Sequence, residues 1–135
     1  MRCRGDREAV SERPKTYVYI AGPYGDKDPY CVIDERINMS RKAAADLALN
    51  GIPYYSPHLN CAHFEAIVPE APVAFWVAMG MVFVDQAWAL LLLPEWHASK
   101  GTLAERDRAI ALGMGQYEYA HDCDFTKLVE AWESR

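Results

Sequence analysis

The sequence has little of what marks a membrane protein or a nucleic-acid-binding protein. Its apolar runs are short, and the strongest of them, residues 87–93, is far below the ~20 residues of a membrane span. The N-terminus is charged and has no apolar segment typical of a signal peptide. Acidic residues (19) outnumber basic ones (14), which gives a formal net charge of −5. The sequence therefore predicts neither a membrane nor a nucleic-acid polymer as a partner.

Paired cysteines and cofactor motifs are also missing. The four cysteines form no Cys-x-x-Cys pair, so we expect reduced thiols in a cytoplasmic protein. The chain has no Gly-x-Gly-x-x-Gly fingerprint for a dinucleotide and no Gly-Lys-Ser/Thr loop for a nucleoside triphosphate. His58, Cys61 and His63 lie close together, but their spacing fits no common metal site. We therefore expect no cofactor and no metal, and we expect His58 to contact a ligand by stacking or hydrogen bonding.

Length and composition favour one domain. The chain has 135 residues, and 51% of them are hydrophobic, which is enough to fill a single core. Residues 1–14 are polar and end in a proline, so we predict a flexible tail there and a single domain over residues 15–135.

Strand-like and helix-like patterns alternate along this domain. Asp28 as N-cap and Pro29 at the first helical position are typical of a helix start. The segment 56–70 has no clear period and is predicted to be a long connection. The helix over 72–86 is apolar almost all round, which predicts a buried helix. The predicted strands are 15–21, 52–55, 87–93 and 116–119, and the predicted helices are 30–49, 72–86, 102–112 and 125–133. This order predicts an α/β fold, a small Rossmann-like or flavodoxin-like three-layer sandwich with a parallel sheet.

Two loops rich in small residues follow predicted strands. Gly22, Pro23 and Tyr24 come after the first strand, and Ser99 and Gly101 come before the helix that follows the third. Ligands of open parallel sheets bind at this edge, and a helix N-terminus offers free N–H groups to an anion. The pattern predicts a site for a small, partly anionic molecule. An ordinary helix start with Ser99 as its N-cap is the alternative.

Glu105 is the main candidate for chemistry. In one interpretation Thr102 and Glu105 form a capping box, in which the glutamate only closes the helix end. In the other, the carboxylate is a nucleophile that attacks the anomeric carbon of a sugar, as in retaining glycosidases. Aromatic residues at the same sheet edge, Tyr24 and Trp96 above all, are candidates for stacking on a planar base.

Three stretches together resemble the nucleoside 2-deoxyribosyltransferase superfamily, which includes deoxynucleoside 5′-monophosphate N-glycosidases. They are Val-Tyr-Ile-Ala-Gly-Pro at 18–23, Gly-Ile-Pro-Tyr-Tyr-Ser-Pro-His at 51–58, and the block 94–105. The resemblance implies a flavodoxin-like fold in a homodimer or larger assembly, where a neighbouring subunit completes each site. It also implies Glu105 as nucleophile, Tyr19 beside it, and Gly22 on the phosphate or sugar side.

The motif Ser-x-Gly-x-x-x-Glu at 99–105 resembles the nucleotide hydrolases of this superfamily, whereas the transferases resemble Asp-x-Gly-x-x-x-Glu. A hydroxyl donates to a phosphate that an aspartate would repel. We therefore expect an N-glycosidase that cleaves the base from a (deoxy)nucleoside 5′-monophosphate. The alternatives are a deoxyribosyltransferase that exchanges bases between nucleosides, and a nucleotide-binding module without catalysis.

The chain departs from the superfamily pattern at one position. Where the resemblance implies an aspartate that assists departure of the base, this chain has Met79, Gly80 and Met81. Asp85 and His58 are the candidate substitutes. If neither acts, the chain binds a nucleotide without cleaving it.

Overall fold

The computed structural model describes residues 13–134, which form a four-stranded, all-parallel sheet in the order β2-β1-β3-β4. The strands are β1 (Val18–Ala21), β2 (Tyr54–Tyr55), β3 (Ala89–Leu92) and β4 (Gly115–Glu118). The helices are α1 (Tyr30–Leu49), α2 (Pro57–Asn60), α3 (Phe64–Ile67), α4 (Val73–Gln86), α5 (Lys100–Ala111) and α6 (Asp122–Glu133), with a 3₁₀ turn at Trp96–Ala98. Of the tail predicted over residues 1–14, only residues 13 and 14 are among the described residues.

Both faces of the sheet are buried, as parallel strands require. Val18 and Ile20 of β1 pack with side chains of α1 and α6, whereas Tyr19 and Ala21 pack with side chains of α4 and α5. Alternate residues of β3 divide between the two faces in the same way. The result is the predicted three-layer α/β sandwich of Rossmann-like or flavodoxin-like type.

The structure corrects the prediction for the helix over 72–86. The helix forms, but only Gly80 and Val84 are buried. Phe75 and Val82 are 51% and 62% exposed and lie seven residues apart, on the same side of the helix. Half of the residues of this apolar helix are therefore exposed to solvent in the single chain.

Two local predictions also change. The segment 56–70 contains the short helices α2 and α3. Pro29 and not Asp28 occupies the N-cap position of α1, and no side chain caps this helix end. The Asp28 carboxylate instead accepts a hydrogen bond from Arg36 over 2.6 Å. Within residues 13–134, no helix is both long enough and apolar enough to cross a membrane.

Candidate active site

The candidate site lies where the chain changes direction across the sheet. From β1 the chain passes through α1 to β2 on one side, whereas β3 lies on the other side of β1. The loops after β1 and β3 consequently diverge and leave a crevice at the carboxyl ends of these strands. A pocket of about 570 Å³ occupies this crevice, and among its lining residues are Tyr19, Gly22, Tyr24, Ser99 and Glu105.

Glu105 and Tyr19 form the floor of the pocket. Tyr19 is fully buried in β1, and its Oη donates to Glu105 Oε2 over 2.5 Å. The capping-box interpretation of Glu105 is wrong, because Ser99 is the N-cap of α5 and accepts from the Thr102 backbone N–H. Glu105 therefore points from the helix into the pocket, beside the tyrosine that the resemblance places there.

The electrostatics of this pair suit a nucleophile that works near neutral pH. Burial raises the pKa of Glu105 from its ordinary 4.5 to about 7, and the hydrogen bond from Tyr19 opposes part of that rise. Burial also raises the pKa of Tyr19, and the neighbouring Glu105 charge raises it further, so the phenol keeps its proton and remains a donor. A carboxylate held by one oriented donor leaves its second oxygen for attack on carbon.

Gly80 lets α4 pass closely over this pair. A Cβ at this position would lie 3.1 Å from Tyr19 Oη and 3.3 Å from Glu105 Oε2, tighter than most real Cβ contacts. At the stretch where the resemblance implies an aspartate, α4 therefore approaches the Tyr19–Glu105 pair with a glycine, which has no side chain. Asp85 does not replace the missing aspartate. Its carboxylate is paired with Arg108, whose Nε lies 2.7 Å from Asp85 Oδ1, and neither residue lines the pocket.

The N-terminus of α5 offers hydrogen-bond donors to the pocket. Ser99 Oγ accepts from the Thr102 N–H over 3.2 Å and from Thr102 Oγ1 over 3.0 Å. With both acceptor positions used, the Ser99 hydroxyl is left to donate its own proton. Ser99, Gly101 and Thr102 all line the pocket, as an anion site at this helix end requires.

The loop after β1 is held in a fixed turn at the mouth of the pocket. The Asp28 N–H donates to the Gly25 carbonyl over 2.8 Å, and Gly25 has a φ of +69°. Arg36 fixes both flanks, donating to the Tyr24 carbonyl over 3.0 Å and to Asp28 over 2.6 Å. This turn presents Asp26 and Lys27 at its tip, and both line the pocket.

His58 lines the pocket as a neutral side chain. Its Nε2–H donates to the Pro23 carbonyl over 2.8 Å, and burial lowers its pKa. Its ring also packs edge-on against the Tyr24 ring, with the centroids 5.4 Å apart. Pro23 contributes this carbonyl and is not part of the pocket lining. Across residues 13–134, no cluster of three or more His, Cys, Asp or Glu side chains is placed to hold a metal ion.

Aromatic side chains form the outer wall. Tyr55 lines the pocket and stacks on Phe83, with centroids 4.0 Å apart and planes 4° from parallel. Phe64 of α3 and Trp76 of α4 also line the pocket, and their rings pack edge to face with centroids 5.9 Å apart. Trp96 lies outside the lining, because its indole N–H donates to Glu118 and Arg106 stacks on its ring.

Several lining residues were not predicted from the sequence. Tyr55 ends β2 and so shares the sheet edge with the two loops, a signal that was available from the strand pattern. Lys27 and Glu65 carried no comparable signal, because their loop and short helix have no periodicity.

Comparison with protein-family models, with curated proteins and with solved structures returned no match to this chain.

Proposed function

We propose that the protein is an N-glycosidase that cleaves the base–sugar bond of a (deoxy)nucleoside 5′-monophosphate, with Glu105 as nucleophile. The observation that carries this proposal is the buried Tyr19–Glu105 pair at the floor of an aromatic-walled pocket. The resemblance to the nucleoside 2-deoxyribosyltransferase superfamily supports it, because the implied nucleophile and its tyrosine fall on this pair.

The chemistry follows from the pair. A Glu105 oxygen attacks C1′ while the electron pair of the C1′–N bond leaves with the base, which gives a glycosyl ester. Water then attacks C1′ and releases Glu105 together with the sugar phosphate. Tyr19 orients the carboxylate in both steps. This reaction requires neither a metal nor a cofactor.

The pocket suits the two ends of a nucleotide. Tyr55, Phe64 and Trp76 offer apolar faces for a base, and a cavity of about 570 Å³ lies in the range of small-molecule sites. At the other end, Ser99 and the start of α5 offer donors to a phosphate.

Release of free base tests the proposed reaction. We expect release from a panel of nucleoside 5′-monophosphates incubated with the wild type, and none with Glu105→Ala. Each monophosphate is compared with its nucleoside, which should react more slowly. Equal release of free base by the wild type and Glu105→Ala would show that Glu105 takes no part in the reaction.

A second function, deoxyribosyl transfer between bases, is favoured by the charge of the pocket. Three carboxylates line it, those of Asp26, Glu65 and Glu105, against the single ammonium of Lys27. Such a balance suits a neutral nucleoside better than a phosphate dianion. In the same panel, release from nucleosides alone, accelerated by an added free base, would identify the transferase.

Lys27 separates these two functions. For the glycosidase, the single ammonium group of the lining should attract the phosphate, so we expect Lys27→Gln to raise KM for the monophosphate ~10-fold or more. KM for the nucleoside should stay unchanged. The control is Lys42→Gln, which removes the same charge from an exposed side chain of α1 outside the pocket lining. An unchanged KM for the monophosphate in Lys27→Gln would contradict a phosphate contact at this residue.

We further propose that the outer face of α4 is buried against a second copy of the chain, in a homodimer or higher homo-oligomer. Exposed apolar patches of this kind mark interaction surfaces, and Asp85 is the single charged residue among the 14 of α4. Val73, at the start of α4, also lines the pocket, so a partner on this helix would lie near the pocket mouth.

Oligomeric state tests this surface. We expect a dimer or larger species by light scattering for the wild type and a monomer for Val82→Glu, because a buried unpaired carboxylate disfavours the contact. Leu49→Glu places the same charge on α1, where the side chain is 85% exposed, and should leave the assembly intact. A monomeric wild type would contradict the proposal.

A further inference from the structure

We propose that Gly80 is a positioning residue for the nucleophile, because the absence of a side chain there lets Tyr19 hold the Glu105 carboxylate in place. This inference rests on the proposed function and adds a requirement on α4 to it. It is carried by the distances from residue 80 to the Tyr19–Glu105 pair and by the contacts that fix α4 over that pair.

Gly80 is buried in α4 and lies against both members of the pair. A Cβ on this residue would stand 3.1 Å from Tyr19 Oη and 3.3 Å from Glu105 Oε2. These are the two atoms that share the 2.5 Å hydrogen bond. At such distances a neighbour has to move by a few tenths of an ångström. Even the smallest side chain at residue 80 would therefore press on the hydrogen bond itself.

Helix α4 is fixed one turn beyond Gly80. Val84 lies four residues further along, on the same side of the helix, and is fully buried in the core. The Phe83 ring stacks on Tyr55 with centroids 4.0 Å apart, and the Phe83 carbonyl accepts a hydrogen bond from the Tyr17 hydroxyl. A helix that moved outward to admit a side chain at residue 80 would break these contacts. The pair, and not the helix, is therefore expected to yield.

Of the two paired side chains, Glu105 is the one that can move. The Tyr19 ring is rigid and fully buried, and it lies beside the Tyr55 ring with centroids 5.8 Å apart. The Glu105 carboxylate ends a flexible side chain that lines the pocket. Crowding from residue 80 should push Glu105 Oε2 away from Tyr19 Oη and turn the carboxylate out of line for attack. A misplacement of about 1 Å can cost ~10²-fold in rate, so a few tenths of an ångström should be measurable.

Neither the backbone nor a helix end explains a glycine at this position. Gly80 lies in the middle of α4 (Val73–Gln86), where glycine is among the least favourable residues for a helix. Its φ is not positive, unlike those of Gly25, Gly51 and Gly113, so alanine could adopt the same backbone conformation. The close approach to the Tyr19–Glu105 pair accounts for its presence.

The ionisation of Glu105 in the free protein reports on this contact without any turnover. Burial raises the pKa of Glu105 to about 7, and the hydrogen bond from Tyr19 lowers it in part. Tyr55 is the other ionisable group that senses Glu105, since burial and, to a smaller extent, the Glu105 charge raise the pKa of its phenol. A longer Tyr19–Glu105 hydrogen bond should therefore move the ionisation of Glu105 to higher pH.

Turnover and ionisation together test the role of Gly80. We expect Gly80→Ala to lower kcat for a nucleoside 5′-monophosphate ~10-fold or more, because the nucleophile is displaced. KM should change by no more than about threefold, since the contacts to base and phosphate remain. The ionisation of Glu105, followed by carbon-13 NMR of glutamate-labelled protein and assigned with Glu105→Gln, should move upward from about pH 7.

The Tyr19→Phe background shows whether the effect passes through the hydrogen bond. Phenylalanine has no Oη, so the added methyl group at residue 80 meets only Glu105, which can move into the space of the lost hydroxyl. In that background Gly80→Ala should cost no more than about threefold in kcat and should leave the ionisation of Glu105 unchanged. Equal effects of Gly80→Ala in both backgrounds would overturn a role through Tyr19.

Ala78→Gly is the matched control. It makes the reverse exchange at an exposed position of the same helix, outside the pocket lining, and should change neither kcat nor the ionisation of Glu105. Wild-type kcat together with unchanged ionisation in Gly80→Ala would overturn the inference and leave the glycosidase standing. A wild type that releases no base would overturn the glycosidase, and the ionisation of Glu105 would still decide whether Gly80 sets the Tyr19–Glu105 contact.

Discussion

Replacing Glu105 by glutamine is expected to stop base release and to stabilise the fold at the same time. Loss of the nucleophile should lower kcat/KM by ~10³-fold or more. In the folded chain the carboxyl keeps its proton up to about pH 7, against an ordinary pKa of 4.5. Between these values the folded state binds the extra proton, so the free energy of unfolding falls as the pH rises through this window.

The size of the stabilisation follows from the same pKa. A rise from 4.5 to about 7 corresponds to about 3 kcal/mol, which the wild type loses once Glu105 is ionised. Denaturant unfolding at pH 8 should therefore show Glu105→Gln to be more stable by up to that amount, and the difference should disappear below pH 4.5. Glu130→Gln, an exposed change on α6, should alter neither property. If Glu105→Gln is inactive and is less stable than the wild type at pH 8, the ionised Glu105 carboxylate does not destabilise the folded state, which contradicts this prediction.

Tyr19→Phe is expected to have the second largest effect on the reaction. The hydrogen bond from Tyr19 lowers the pKa of Glu105, so its loss should move the ionisation of the nucleophile upward. Because the ionised carboxylate is the active form, kcat/KM of the wild type should rise with pH through about 7. The midpoint for Tyr19→Phe should lie higher, and kcat should fall ~10- to 100-fold because the carboxylate loses its orienting donor.

Tyr17→Phe is the matched control for this change. Tyr17 precedes β1, and its hydroxyl donates to the Phe83 carbonyl over 2.5 Å, outside the pocket lining. Both variants should lose about 1 kcal/mol of stability, the usual net value of a hydrogen bond. Only Tyr19→Phe should move the pH profile. Identical profiles for the wild type and Tyr19→Phe would show that the short contact does not tune Glu105.

The sheet and the floor of the site follow from local sequence patterns. Strands buried on both faces are continuous apolar runs, and such runs lie at β1 and β3. Once these strands are parallel neighbours, the loops that follow them must meet at one edge. Gly22, Ser99 and Glu105 were therefore predictable as one site, whereas Tyr19 was predicted from the superfamily resemblance alone.

The remainder depends on particular side-chain contacts, which the periodicity of the sequence does not encode. Arg36 engages the Asp28 carboxylate, which was predicted to cap α1, and Ser99 takes the N-cap position that the capping-box interpretation gave to Thr102. Glu65 enters the pocket because Tyr24, 41 residues away in the chain, bonds to it. The apolar α4 was predicted to be buried, but hydrophobicity does not tell a core helix from one that faces another subunit.

The most direct test of the central claim is the covalent intermediate on Glu105. The wild type is mixed with a nucleoside 5′-monophosphate that it cleaves, quenched in acid within one turnover, digested, and its peptides are weighed by mass spectrometry. We predict one modified peptide, heavier by the sugar phosphate, with the adduct on Glu105 and absent from Glu105→Gln. Release of base within that turnover, with Glu105 unmodified at every quench time, would contradict nucleophilic attack by this residue.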